Sequence, residues 1–133
     1  MRKRLEDLEH SQKPIRVGLI GCGRFGSMAA SQIFRTTGMR LSIVCDIDTQ
    51  SAINNLENAG IPKEILIDTS LRSQISNKIN SHNVVITENL SFLLESDVDV
   101  IVESTGNPEV GAYNGYQSIQ AAKHLIMVNV EAD

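Results

Sequence analysis

The chain has no tryptophan, and two tyrosines and three phenylalanines are its only aromatic residues among 133. So few flat side chains leave no platform for stacking the bases of a single-stranded nucleic acid. Two cysteines, Cys22 and Cys45, make neither a disulfide framework nor the spacing of metal ligands, and no metal site is expected. No apolar run exceeds the four residues Leu125–Val128, against the roughly 20 a helix needs to span a bilayer. The opening MRKRLEDLEHSQK mixes both charge signs without an apolar stretch and does not read as a secretory leader. Excess positive charge is missing too. Twelve Lys and Arg against sixteen Asp and Glu leave −4, so nothing draws the chain to nucleic acid or an anionic membrane. The expectation is a cytoplasmic protein with reduced thiols.

What is present is a globular composition, 41% hydrophobic and 21% charged, in a length that suits one domain. Residues 1–13 form an amphipathic helical arm, with Leu5 and Leu8 among charges over 2–12 and Pro14 as the stop. Residues 14–133 then alternate strands with helices. IRVGLI (Ile15–Ile20) is a strand, and Arg24 to Arg35 a helix in which Phe25, Met28, Ala29, Gln32 and Ile33 recur at helical spacing. Further strands are expected over 41–45, 84–87, 98–103 and 125–130. Further helices are expected over 49–58, 90–94 and 108–122. Residues 63–82 are ambiguous: 65–67 reads as a short extended piece, and Leu71, Ile75 and Ile79 repeat as in a helix. Such alternation predicts an α/β fold, a Rossmann-type doubly wound parallel sheet of about five strands in order 3-2-1-4-5 with helices on both faces.

The chemistry collects at the carboxyl ends of these strands. Gly21-x-Gly23-x-x-Gly26 follows a strand and opens a helix, and Asp46 lies 20 residues past Gly26 at the end of the next strand. That context turns a common glycine triplet into a dinucleotide fingerprint. Gly21 permits the tight turn, Gly23 lets a phosphate reach the backbone, and Gly26 lets helix and strand pack closely. Arg24 and Phe25 lie within the same loop and belong to the expected cofactor site. The amides and positive helix end there attract a pyrophosphate. Asp46 suits the two adenosine ribose hydroxyls and repels a 2′-phosphate, and residues 47–51 offer no cation for that phosphate, so local chemistry leans to NAD.

Ser104, Thr105, Gly106 and Asn107 follow the fourth strand on the same edge. They are expected either to meet the nicotinamide end of the cofactor or to cap the next helix. Asn129, Glu131 and Asp133 sit at the tip of the fifth strand, as further site residues or as solvated strand-end groups. His10, His82 and His124 read as surface or structural residues. Cys22 fills a place that a small apolar residue would fill as well. No nucleophile–His pattern stands out.

Four stretches carry a resemblance to a known family: PIRVGLIGCGRFG (Pro14–Gly26), VCDID (Val44–Asp48), VIVESTGNPEVG (Val100–Gly111) and KHLIMVNVEAD (Lys123–Asp133). The chain resembles the N-terminal half of homoserine dehydrogenase-like oxidoreductases, in the branch with a C-terminal SAF domain that includes 1-deoxy-D-xylulose 5-phosphate reductoisomerase-like enzymes. The first two stretches are shared by many dehydrogenases, the last two by far fewer. The resemblance implies NADPH where Asp46 leans to NAD, so the expected cofactor is NAD or NADP. It also implies that substrate and catalytic residues come from a segment after this fold. Relatives of glucose-fructose oxidoreductase end the fifth strand in Glu-Lys-Pro, where this chain has Val128, Asn129 and Val130. Homoserine dehydrogenases have Asn-Lys there, where this chain keeps Asn129 but carries Val130. Neither reaction is carried over, and the catalytic residues stay unassigned.

The function expected is the cofactor-binding domain of an NAD(P)-dependent oxidoreductase that passes hydride to a small polar substrate, inactive by itself. Its partners would be the dinucleotide, a small-molecule substrate held by a missing C-terminal segment, and further copies of the chain in an oligomer. The alternative is a non-catalytic module that senses NAD(H). A methyltransferase is disfavoured by the third glycine, Gly26.

Overall fold

A computed structural model describes residues 1–68 and 82–128. After helix α1 (Arg2–His10), strand β1 (Ile15–Ile20) starts behind Pro14 and ends at Gly21, whose φ of +88° breaks the extended chain. Helix α2 (Arg24–Arg35) leads to β2 (Met39–Cys45). Helix α3 (Thr49–Asn58) is capped by Asp48, which accepts the Ser51 N–H at 3.0 Å. A 3₁₀ turn (Lys63–Ile65) and a short strand β3 (Leu66–Asp68) come next. Strand β4 (Val84–Thr87) precedes helix α4 (Leu90–Leu94), capped by Asn89. Strand β5 (Val100–Glu103), helix α5 (Pro108–Gln120) and strand β6 (His124–Met127) are the last elements of the described residues.

All strands among the described residues run parallel in one sheet, ordered β3-β4-β2-β1-β5-β6. The five expected strands hold the expected order. The sixth, β3, adds an edge to β4 and grows from the piece at 65–67 that the sequence left ambiguous. The repeat of Leu71, Ile75 and Ile79 lies outside the described residues. Some boundaries differ from expectation. Strand β2 begins at Met39, paired with Ile15. Strand β5 begins at Val100, and just before it the Asp99 carboxylate accepts the Arg16 N–H at 2.9 Å. Helix α1 ends at His10 and α5 at Gln120, each closed by a residue at positive φ just beyond, Gln12 and Ala122.

Two apolar layers sandwich the sheet. Ala30 of α2 and Ala52 and Leu56 of α3 pack on one face with Val17, Leu19 and Val44. Leu93 of α4 packs on the other with Ile20, Ile43 and Ile101. Helix α5 shares that second face, where Gly115 lies close to Leu125 and Met127. The residues of α2 that recur at helical spacing divide between core and solvent, with Ile33 packed against the core. Phe25 and Met28 are 57% and 63% exposed, while Gly26, Ser27, Ala30 and Ser31 turn inward. The reason is steric. A Cβ on Gly26 would collide with the Gly21 carbonyl, so the first turns of α2 lie too close to the sheet for large side chains on their inner face.

Strand register aligns the carboxyl ends. Ile20 pairs with Cys45 on one side and Glu103 on the other, and Cys45 pairs with Thr87. Four strands therefore end at one level, and Gly21, Asp46, Glu88 and Ser104 emerge side by side.

Candidate functional site

These four residues line a cleft of about 620 Å³ at the carboxyl edge of the sheet, within the usual size of a small-molecule site. The cleft lies where the chain turns from β2 on one side of β1 to β5 on the other, the switch point at which doubly wound sheets bind ligands.

Each glycine of the loop has its own structural cause. Gly21 has φ +88°, and a Cβ there would lie 2.7 Å from the Thr105 backbone. Gly26 abuts the Gly21 carbonyl. Gly23 is different: its φ is −82°, and a Cβ would meet nothing within 4 Å. Gly23 is also the N-cap of α2 and brings no side chain to the first-turn amides. Those amides border the cleft with Arg24 and Phe25.

The loop is tied down on three sides. The Cys22 N–H donates to Asp46 Oδ2 at 2.8 Å, and Asn55 Nδ2 donates to the Cys22 carbonyl at 2.9 Å. Ser104 Oγ donates to the Gly21 and Ile20 carbonyls at 2.7 and 3.1 Å. The other oxygen of Asp46, Oδ1, accepts the Asp48 N–H at 2.9 Å. Burial, and secondarily the Asp46 charge, pushes the Cys22 and Cys45 thiols up to about 12, so both are held as neutral packing groups.

Of the residues singled out in the sequence, Gly21, Gly23, Arg24, Phe25, Asp46, Ser104, Thr105, Gly106 and Asn107 line this one cleft, and Gly26 does not line it but lies against Gly21 and Ser104. Ser104 spends its hydroxyl proton on the loop. Asn107 caps α5, accepting the Val110 N–H at 3.0 Å. Asn129, Glu131 and Asp133 lie outside the described residues. His10, His82 and His124 are exposed. Sequence reasoning missed Ile47, which is 91% exposed beside Asp46, and Glu88, Leu90 and Asn114 on the cleft wall. It also missed Glu103, a fully buried carboxylate at the end of β5. An acid closing the apolar run VIVE was the available signal.

No protein-family model and no curated protein matches the sequence. Solved structures do match the fold. The myo-inositol dehydrogenase of Lactobacillus casei, in complex with NAD(H) and myo-inositol, is 16% identical with a TM-score of 0.63, over 86% of this chain and 28% of that one. The scyllo-inositol dehydrogenase of the same organism, with NAD(H) and scyllo-inositol bound, is 15% identical with a TM-score of 0.56, over 86% and 28%. The WlbA dehydrogenase of Bordetella pertussis, in complex with NADH and UDP-GlcNAcA, is 19% identical with a TM-score of 0.59, also over 86% and 28%. The chain thus spans little more than a quarter of the length of each. It shares with them a Rossmann-type α/β fold.

Proposed function

We propose that residues 14–133 are the dinucleotide-binding part of an NAD(P)-dependent oxidoreductase, with α1 an arm packed on its flank. The observation that carries this reading is the open space at Gly23. Neither backbone conformation nor packing asks for glycine there, whereas a phosphate approaching the α2 amides does. The pyrophosphate then rests on residues 21–26. The adenosine ribose lies against Asp46, with the adenine between the exposed Ile47 and Leu90. The nicotinamide end extends toward residues 104–107. When bound, the dinucleotide supplies a carrier for hydride. The protein's part is to bind and orient it.

Asp46, with Asp48 and Glu88 nearby, favours NAD over NADP by repulsion of a 2′-phosphate. The neighbours solved with NAD(H) are consistent with that preference. The finer placement among homoserine dehydrogenase-like enzymes with a SAF domain rests on ESTGNPEVG and VNVEAD alone, and none of the three solved dehydrogenases is of that kind. Substrate and catalytic groups are assigned to a further segment of the whole protein. The cytoplasm is its proposed compartment, on the strength of two buried, unpaired thiols.

Calorimetric titration with NADH and NADPH tests the reading. NADH should bind more tightly than NADPH. Dissociation constants of about 1 mM or weaker for both would sink it.

A further inference from the structure

We propose that Asn114 and Glu103 together read the carboxamide of the nicotinamide ring. In this arrangement Asn114 offers its amide oxygen to the ligand's NH₂ group, and Glu103 acts as the positioning residue that holds the amide that way round. This inference rests on the proposed dinucleotide site.

Asn114 lies on α5, 6% exposed, and borders the cleft. Its Nδ2 donates to Glu103 Oε1 at 3.4 Å, and the same oxygen accepts the Thr105 N–H at 3.2 Å. A carboxylate oxygen has no hydrogen to give, so the Asn114 amide must turn its NH₂ end toward Glu103. The two ends of a planar amide diverge, which leaves Oδ1 toward the cleft. No described residue donates to Oδ1, although every hydrogen bond of a buried side chain counts in a dry wall. Glu103 itself is fully buried and does not line the cleft. A carboxylate held out of water needs donors to offset its desolvation, and two of its donors come from residues of the cleft wall. Asp46 marks the adenosine end of the site. The Asn114 acceptor therefore lies with residues 104–107 at the other end, where a primary carboxamide brings a donor.

The test uses the 133-residue chain and three probes in calorimetric titrations: NAD, its 3-acetylpyridine analogue (a methyl group in place of NH₂) and ADP-ribose. The chain should bind NAD roughly two- to tenfold more tightly than the analogue, the range for one neutral hydrogen bond. Asn114→Ala should abolish that preference and leave ADP-ribose affinity unchanged. Glu103→Gln, whose side chain donates as well as accepts, frees the Asn114 amide to turn and should shrink the preference in the same direction. If Glu103→Gln does not fold, Asn114→Ala decides alone. Equal binding of NAD and the analogue overturns the carboxamide pairing but leaves the dinucleotide reading standing. So does a parallel loss of NAD and ADP-ribose in Asn114→Ala. Failure of ADP-ribose to bind the unmodified chain overturns both.

Discussion

The Cys22 N–H donates to Asp46 Oδ2 at 2.8 Å, joining the end of β2 to the glycine loop after β1. The carboxylate proposed to hold the ribose is thus also a strut of the proposed phosphate cradle. Each carboxylate oxygen keeps a second lone-pair direction beyond the amide it already accepts, enough for two ribose hydroxyls. Position and charge at this residue are therefore coupled to the shape of the loop.

Asp46→Ala removes both roles. Loss of the strut weakens every dinucleotide, and loss of the ribose contact weakens NADH alone. The expected result is a drop of about tenfold or more for NADH and a smaller one for NADPH, consistent with about 1.5–3 kcal/mol for hydrogen bonds to a charged group. Titration of both cofactors checks this. An equal loss for the two would take Asp46 off the ribose.

Gly23 and Gly26 separate binding from folding. Gly23→Ala adds a methyl group to open space, so stability should fall by no more than about 1 kcal/mol, the difference between Gly and Ala at an N-cap, while NADH affinity falls by about tenfold or more. Gly26→Ala drives a Cβ into the Gly21 carbonyl and should cost about 1–3 kcal/mol of stability, the range for overpacking. Thermal melts with and without NADH distinguish the two.

The thiols of Cys22 and Cys45 should resist iodoacetamide at pH 8 in the folded chain and react once urea exposes them, as mass spectrometry would show. Their pKa is raised from 9.0 to about 12 by burial first and the Asp46 charge second. The folded state therefore keeps protons that the unfolded chain releases. The stability this represents is complete below about pH 9 and erodes as pH rises toward about 12. Urea titrations across that window check the sign.

The inner face of α2 is small and its outer face large. Met28→Lys should change stability by less than about 0.5 kcal/mol, and Ala30→Leu should cost about 1–3 kcal/mol. Urea midpoints in the reverse order would put the Phe25–Met28 stripe inside.

That stripe shows where sequence reading stops. Hydrophobic periodicity located α2 with its observed ends, 24 and 35, because spacing and capping are properties of a few adjacent residues. It did not say which face turns inward, because the closeness of α2 to the sheet depends on Gly26 meeting Gly21 and Ser104, contacts that span up to 78 positions of the chain. Strand β3, three residues long, carries too little pattern to stand out from a loop and is held by β4. Glu103 and Asn114 meet only once α5 folds back on β5.

Local order along the chain was enough to determine the alternation of strand and helix, the strand order, and the glycine–acid spacing of the candidate site. Those features arise from backbone sterics, helix ends and the handedness of crossovers, all expressed within a few dozen residues. Tertiary structure alone decided that Gly21, Asp46, Glu88 and Ser104 emerge at one level, that Asp46 braces the loop, and that a buried glutamate orients Asn114. Register between parallel strands is set by packing among distant segments, and no single segment carries that information.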